Sequence, residues 1–185
     1  MPSLARLEFD QLEPTLAAQL EPRVRRLGYL GEFFKCAAHQ PEALRAFMDY
    51  TDTSKKGLQE NLVEVIALTA ANWMGNEYER NQHERLSVRL GFGRDWVAAV
   101  NRLKPDLEGS MSGAERLVQR LVLNVLHSKG KDAAPLLEET IEVFGDAAAV
   151  AVLMVLGRYV VHGLFVNALA LKPPVPSIFE DGFTG

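Results

Sequence analysis

Cysteine is nearly absent from this chain, since Cys36 is the only one in 185 residues. A single cysteine excludes an intrachain disulfide, a CxxC redox pair and a cysteine-based metal site. We therefore expect no metal centre and a reducing compartment. The N-terminus also lacks the basic and apolar regions of a signal peptide, because it carries Glu8, Asp10 and Glu13 instead. These absences predict a cytoplasmic protein.

Clusters of positive charge are lacking as well. The net charge is −4, the pI is near 5.6, and lysine and arginine are scattered along the chain. This distribution disfavours nucleic acid and anionic membrane surfaces as partners. A ligand-binding regulator would need a basic helix-turn-helix near one end, which the acidic N-terminus does not offer. We expect a small-molecule substrate or another subunit as the partner.

The pattern of apolar residues is helical throughout, with no alternating strand pattern and no repeat. Hydrophobic residues make up 48% of the chain, enough to bury one sizeable core, and no internal linker divides it. The sequence predicts one all-α domain over 1–185, with 1–20 as an N-terminal extension. The first predicted helix contains Pro14 and Pro22, is stopped by Gly28, and turns Leu16, Leu20, Val24 and Leu27 inward. A later helix begins at Pro41 and ends within 51–56. The other predicted helices are 30–38, 58–74, 76–90, 94–103, 114–127, 134–144 and 147–171.

The longest apolar segment, 147–171, is long enough to span a bilayer. Arg158 and His162 lie one turn apart within it on the same helix face, where contact with lipid would be costly. A helix buried within the protein or an oligomer explains the pattern better. The Pro-rich segment 172–185 that follows cannot begin as a helix, and it is predicted to run as an extended arm that reaches a neighbouring subunit.

The candidate functional residues surround Gly75, where an apolar helix meets a polar one. Glu64 is the only charged residue between Leu62 and Met74. Desolvation would raise the pKa of such a carboxyl, which suits a general acid or base. The alternative is that Glu64 lies on a polar seam with Glu60 and meets solvent.

Asn76, Glu79 and His83 occupy positions i, i+3 and i+7, within about 60° of arc on one helix face. All three can face one pocket, with Glu64 opposite them across a helical hairpin, in an arrangement suited to moving protons. A structural alternative also fits. Asn76 is a good N-cap and Glu79 completes a capping box, while a lone histidine is more often a hydrogen-bonded bystander than a catalyst.

Three segments resemble the carboxymuconolactone decarboxylase and alkyl hydroperoxidase D-like family: NEYERNQH at 76–83 after the apolar helix, FKCAAHQPE at 34–42, and FGD at 144–146 before the last long helix. The resemblance covers most of 20–172. It implies a helical bundle with a buried antiparallel helical hairpin and a long apolar C-terminal helix. It also implies a homo-oligomer, as a dimer, trimer or hexamer.

The redox branch of that family is marked by a glutamate, a CxxC pair and a histidine four residues after the second cysteine. Aligned by the histidine, Glu64, Asn76, Glu79 and His83 occupy these four positions, so both cysteines are absent. A thiol hydroperoxidase needs one thiolate to attack peroxide and a second to resolve the sulfenic acid. The decarboxylase branch acts on lactones without a cofactor. The resemblance therefore implies a cofactor-free lyase or isomerase acting on a small lactone or organic acid.

In this hypothesis His83 shuttles a proton, Glu79 and Glu64 assist it, and Asn76 donates a hydrogen bond to a developing oxyanion. Arg80 holds an anionic substrate, although a solvent-exposed arginine is the commoner interpretation.

Three alternatives stay open. Arg158 and His162 form a second candidate pair, or a structural ion pair. Cys36 supports residual peroxidase-like activity, or is a small buried apolar residue. The chain is an enzyme, or a non-catalytic oligomeric helical binding protein.

Overall fold

The structure is a computed structural model that describes residues 4–180 and 183. Over these residues it is all-α, with nine helices and two short 3-10 turns and no strand, which confirms the predicted fold class. Residues 1–3, 181–182 and 184–185 of the predicted N-terminal extension and tail lie outside the described residues. The helices are α1 (Pro14–Leu27), α2 (Glu32–Ala37), α3 (Pro41–Ser54), α4 (Glu60–Trp73), α5 (Glu77–Arg89), α6 (Arg94–Asn101), α7 (Gly113–Ser128), α8 (Ala134–Phe144) and α9 (Asp146–Ala168).

Local signals in the sequence set the limits of α1. Glu13 accepts hydrogen bonds from backbone N–H groups of the first turn, Pro14 occupies the first helical position, and Gly28 ends the helix in the left-handed conformation with φ 81°. The helix continues through Pro22, because a proline removes one backbone hydrogen bond without forcing the helix to end. Leu27, predicted to face inward, is exposed because α1 ends there beside an open pocket.

The centre of the bundle is α4, in which every residue from Leu62 to Ala71 is buried. It packs against α5, α6, α7 and α9, and these helices share one apolar core. A second apolar cluster joins α1, α2 and α3 to the end of α9. At Gly75, with φ 64°, the chain turns from α4 into α5. The two helices form the predicted antiparallel hairpin, which places the polar face of α5 against the middle of α4.

The last helix, α9, is long and apolar enough to cross a membrane by length and composition alone, and half of its most apolar stretch is buried inside the protein. It packs along α3, α4, α7 and α8. Its polar residue His162 faces this interior and is only 3% exposed. The apolar character of the helix is thus partly accounted for by burial, as the sequence predicted.

The segment after α9 folds back onto its own chain. It is not helical, as predicted, but Asn81 on α5 donates a hydrogen bond to the carbonyl of Val175 (3.0 Å). The buried carboxylate of Glu84 accepts hydrogen bonds from the Ser177 hydroxyl (2.6 Å) and the Ile178 backbone N–H (3.1 Å). Residues 175–178 therefore lie on α5, because a desolvated carboxylate needs these donors. We call this contact the tail clasp.

Candidate functional site

A pocket of about 360 Å³ opens among residues of α1, α2, α3, α5 and α9. This volume is in the range of small-molecule sites. One carboxylate, that of Glu79, lines it. The cationic side chains that line it are Arg23, Arg26, Lys55, Arg89 and Arg158. The lining is therefore strongly positive, although the chain as a whole carries a net charge of −4.

The first turn of α5 points Glu79 towards this pocket. Asn76 caps the helix, because its side-chain oxygen accepts a hydrogen bond from the backbone N–H of Glu79 (3.1 Å). The reciprocal half of a capping box is not formed, since the Glu79 carboxylate is turned into the interior and is only 5% exposed. Capping thus accounts for Asn76 and leaves the burial of Glu79 to be explained by its partners.

The structure brings four titratable side chains into one row. His83 Nδ1 lies 2.8 Å from Glu64 Oε2 across the α4–α5 hairpin, and His83 Nε2 lies 2.9 Å from Glu79 Oε2. Glu79 Oε1 in turn lies 2.9 Å from His162 Nδ1 on α9, at ion-pair distance. All four residues are buried, so the solvent-facing alternative for Glu64 is wrong. We call this row the carboxylate–imidazole row. Its inner end is Glu64, and the other three residues, with His162 at the far end of the row, line the pocket.

Arg158 lies beside the row and partly neutralises it. Its Nη1 is 3.5 Å from Glu79 Oε1, its Nε donates a hydrogen bond to the Thr51 hydroxyl (3.3 Å), and its guanidinium carbon lies 4.4 Å from the centre of the Tyr159 ring. Burial alone would raise the pKa of Glu79, but His162 and Arg158 outweigh it and hold that pKa well below its usual value. Glu79 is therefore a carboxylate at neutral pH.

The two histidines of the row have opposite protonation states. Burial disfavours the charged form of His83, yet the carboxylates of Glu64 and Glu79 outweigh burial and raise its pKa to about 9. Both of its ring nitrogens then carry protons that face carboxylates, so His83 has no free lone pair at neutral pH. For His162, burial lowers the pKa and Glu79 opposes this only in part. His162 is therefore neutral.

The free base of the site is consequently His162. Its Nδ1 lies 2.9 Å from Glu79 Oε1, although outside hydrogen-bond geometry, and because a carboxylate can only accept, this contact favours the ring proton on Nδ1 and the lone pair on Nε2. The Phe33 ring lies at 4.1 Å from the imidazole, centre to centre, and shields one face of it. Tyr159 packs edge-on against His83 at 5.2 Å and closes the inner side of the row. These aromatic rings cover part of each imidazole, and the reduced contact with water strengthens the interaction of His83 with its carboxylates.

Neither of the two residues predicted to bind the substrate lines the pocket. Asn76 is buried at the start of α5, and Arg80 lies over Glu77 and Glu84, with nitrogen–oxygen distances of 3.5 and 3.6 Å. Successive residues of a helix point about 100° apart, so Arg80 faces away from the side of α5 that carries Glu79. The cations that line the pocket are better placed to meet an anionic group, and of these the sequence analysis named only Arg158.

Cys36 lies apart from the pocket, in the second apolar cluster, and is 1% exposed. Burial raises the pKa of its thiol. The sequence interpretation of Cys36 as a small buried apolar residue agrees with this placement. Among residues 4–180 and 183, no group of three or more His, Cys, Asp or Glu side chains is arranged to hold a metal ion.

We expect the stability of the protein to fall as the pH rises from about 6.5 to about 9. In the unfolded chain His83 has an ordinary pKa of about 6.5, whereas in the folded chain its pKa is about 9. The folded state therefore holds this proton more tightly, and the stabilisation is complete below the unfolded pKa and is lost through the folded pKa. Urea unfolding at several pH values measures this slope.

The matched comparison for this titration is His83→Gln against His39→Gln, since His39 is exposed and lies outside the row. His83→Gln is expected to flatten the decline over this pH window, and His39→Gln to leave it unchanged. Equal slopes in all three proteins would contradict an imidazolium at position 83.

Solved structures identify the fold. The alkylhydroperoxidase AhpD core of an uncharacterised peroxidase-related protein from Ralstonia eutropha superimposes with a TM-score of 0.78, at 18% identity over 94% of both chains. A protein of unknown function from Agrobacterium tumefaciens, proposed to be the antioxidant defence protein AhpD, gives a TM-score of 0.68 at 20% identity over 76% of this chain and 96% of that one. The debrominase Bmp8, as a cysteine-to-alanine variant in complex with 2,3,4-tribromopyrrole, gives 0.74 at 17% identity over 93% and 91%.

No protein-family model and no curated protein sequence matches this chain. The structural likenesses therefore establish the fold and leave the chemistry to be argued from the site.

Proposed function

We propose that this chain, which has the fold of the alkylhydroperoxidase AhpD core, is a cofactor-free acid/base enzyme. In this proposal it is a lyase or isomerase that moves a proton on a small anionic lactone or organic acid. The observation that carries the proposal is the carboxylate–imidazole row, which runs from Glu64 to His162 and ends at a pocket lined with cations.

The proposed proton acceptor is His162. Nε2 takes a proton from the substrate, and the imidazolium that forms is stabilised by Glu79, which lies at its Nδ1. Glu79 keeps its charge because His83, itself an imidazolium, lies on its other side and is balanced by Glu64. When the same proton returns to a different atom of the substrate, the product is an isomer. His83 is thus a positioning residue here, which differs from the shuttle that the sequence suggested.

The proposed substrate is an anion because of the charges around the base. Arg23, Arg26 and Arg158 are three of the four arginines that line the pocket, and a guanidinium can hold a carboxylate through two parallel hydrogen bonds. The Arg23 guanidinium lies over the Phe34 ring at 5.1 Å, which fixes its plane. Binding an anion there also compensates the mutual repulsion of these cations. The substrate-holding role predicted for Arg80 therefore passes to these three residues.

A thiol-dependent oxidoreductase is the alternative favoured by the description of the Ralstonia protein as peroxidase-related. Against it, Cys36 is the only cysteine of the chain, is buried away from the pocket, and has a raised pKa. Peroxide attack requires an accessible thiolate and a second thiol to complete the cycle. We therefore place this alternative second, and Cys36→Ser tests it through loss of peroxide turnover.

The experiment for the proposed function is proton NMR in D2O with a panel of small lactones, unsaturated acids and neutral esters of the same acids. We expect one class of anionic compound to gain deuterium or to be converted, and the matching neutral esters to remain unchanged. Binding of an anion without exchange or conversion would support a non-catalytic binding protein instead. Equal turnover of esters and acids would overturn the role of the cations.

We also propose that the chain self-associates through α9. Four apolar residues on the outer face of this helix are exposed, Val150 (58%), Met154 (44%), Val161 (56%) and Leu164 (60%). Together with Gly157, against which the Tyr50 hydroxyl of α3 lies, they are spaced alternately by four and three residues, the spacing at which two copies of a helix pack along each other. No charged residue interrupts the stripe, so a second copy of α9 is the occupant that this surface matches.

Leu164→Glu is expected to shift the protein from an oligomer to a monomer, because it places a charge within an apolar interface. Sedimentation equilibrium measures the mass of each form. The control is Val143→Glu on α8, which makes a similar change at a residue that is also exposed (55%) but lies outside the stripe. A monomeric wild type, or loss of association in both variants, would refute this interface.

A further inference from the structure

The lining residue Lys55 has no role in the proposed proton transfer or in the proposed binding of the carboxylate. Lys55 lies in the 3-10 turn Lys55–Gly57 after α3 and contributes its side chain to the pocket lining. Its Nζ is 5.8 Å from the centre of the Tyr159 ring, the ring that also carries the Arg158 guanidinium at 4.4 Å. Within the described part of the chain Lys55 forms no ion pair. An ammonium group is thus held beside another cation without a carboxylate in contact.

The surroundings of Lys55 favour its neutral form. Burial is the main cause and Arg158 on α9 adds to it, while Glu64 on α4, Glu79 on α5 and Asp52 on α3 oppose it from a distance. The net effect is a lowered pKa of the Lys55 amine. Desolvation and a neighbouring cation are the two conditions that turn a lysine into a nucleophile towards carbonyl groups.

We propose that Lys55 forms a Schiff base with the carbonyl group of a small oxo carboxylate bound in this pocket. The neutral Nζ attacks the carbonyl carbon and a C–N bond forms, while the carbonyl oxygen takes up a proton. The nitrogen releases one of its two protons and its lone pair forms the C=N bond, while the hydroxyl group takes up a second proton from solvent and leaves as water. The iminium nitrogen keeps one proton. No oxidant or reductant takes part. The guanidinium groups hold the carboxylate, which brings the carbonyl group to the amine.

This inference narrows the proposed substrate class, because only an organic acid that also carries an aldehyde or ketone group can form a Schiff base with Lys55. An iminium group withdraws electrons from the adjacent carbon, which eases loss of a carboxyl group or a proton there. It rests on the same pocket as the proposed function but does not require His162 to act as the base. The two proposals therefore fail in different experiments.

The test is reductive trapping with pyruvate and cyanoborohydride at neutral pH, followed by peptide mapping of the full chain by mass spectrometry. Pyruvate is the probe because it combines one carboxylate with one ketone. We expect a single reduced adduct on Lys55, formed at least about tenfold faster than on any other lysine, because its lowered pKa leaves more of the amine neutral and the guanidinium groups bring the ketone to it. Acetone, a ketone without a carboxylate, is expected to give little adduct there.

The matched control is the neighbouring Lys56, which is exposed and does not line the pocket. Lys55→Arg is expected to abolish the adduct and Lys56→Arg to leave it unchanged, while His162→Gln, which removes the proposed base, leaves the Lys55 adduct detectable. Mapping of the wild-type adduct needs no variant and so does not depend on folding of Lys55→Arg. Labelling spread over exposed lysines, or equal labelling by acetone and pyruvate, would overturn the assignment.

Discussion

Replacing His162 by glutamine is expected to slow turnover of the responsive substrate class by about 10²–10⁴-fold, the usual contribution of a positioned general base. Glutamine keeps much of the volume of the ring but cannot accept a proton at neutral pH. Because the guanidinium groups are left in place, substrate affinity should change far less than the rate constant. Initial rates of deuterium incorporation in D2O, with binding measured separately by calorimetry, distinguish the two quantities.

His39→Gln is the control for that experiment, since His39 is exposed and distant from the row, with its ring nitrogen 2.9 Å from the carbonyl of Ala5. It should leave the rate unchanged. If His162→Gln kept the wild-type rate, His162 would not be the base, and His83 would again be the candidate for proton transfer. A parallel loss of affinity and rate would instead mean that the ring holds the substrate and does not take its proton.

Replacing Glu79 by glutamine is expected to lower the free energy of unfolding by about 3–5 kcal/mol. The amide cannot balance the Arg158 guanidinium and the His83 imidazolium that face this position, and both would remain buried with one opposing carboxylate, Glu64, behind His83. Urea unfolding at neutral pH measures the loss. The same substitution should lower the pKa of His83, because one of the two carboxylates that raise it is gone.

Glu77→Gln provides the comparison on the same helix turn. The Glu77 side chain is 63% exposed and only its salt bridge to Arg80 at 3.5 Å would be lost. Exposed pairs of this kind contribute at most about 1 kcal/mol, so the unfolding free energy should hardly change. If both variants were equally stable, the charges around Glu79 would have to be solvated or neutral, and the assigned protonation states would be wrong.

Much of the hairpin could be predicted from the sequence because its contacts are local. Glu64 and His83 are 19 residues apart, and both lie on helices whose limits are marked by an apolar run, Gly75 and a good N-cap. Helical spacing then places Glu79 and His83 on one face. What remained open from the sequence was whether Glu79 serves the helix end or the interior, and the partners on α9 decide this.

The outer half of the site could not be predicted, because its residues come from separate parts of the chain. Arg23, Lys55 and His162 meet only after α1, α3 and α9 have packed around α5. Each has an ordinary interpretation in its own helix, and no local spacing relates one to another. The sequence did place Arg158 and His162 on one helix face, and this was the available signal. Arg80 was selected because it is next to Glu79 in the sequence, but successive residues of a helix point about 100° apart, so its side chain does not reach the pocket.

The tail clasp has a consequence for the nascent chain on the ribosome, because its two sides are synthesised at different times. Glu84 must wait for Ser177 and Ile178, which follow it by 93 and 94 residues, before its carboxylate gains these donors. During synthesis the α4–α5 hairpin can form early, but Glu84 Oε2 on α5 then lacks its two donors from the tail clasp, and only Oε1 has a hydrogen-bond partner, the side-chain amide of Asn101. Nascent chains arrested before residue 177 should therefore be open to proteolysis at α5, and chains in which residues 175–178 have emerged should be protected there.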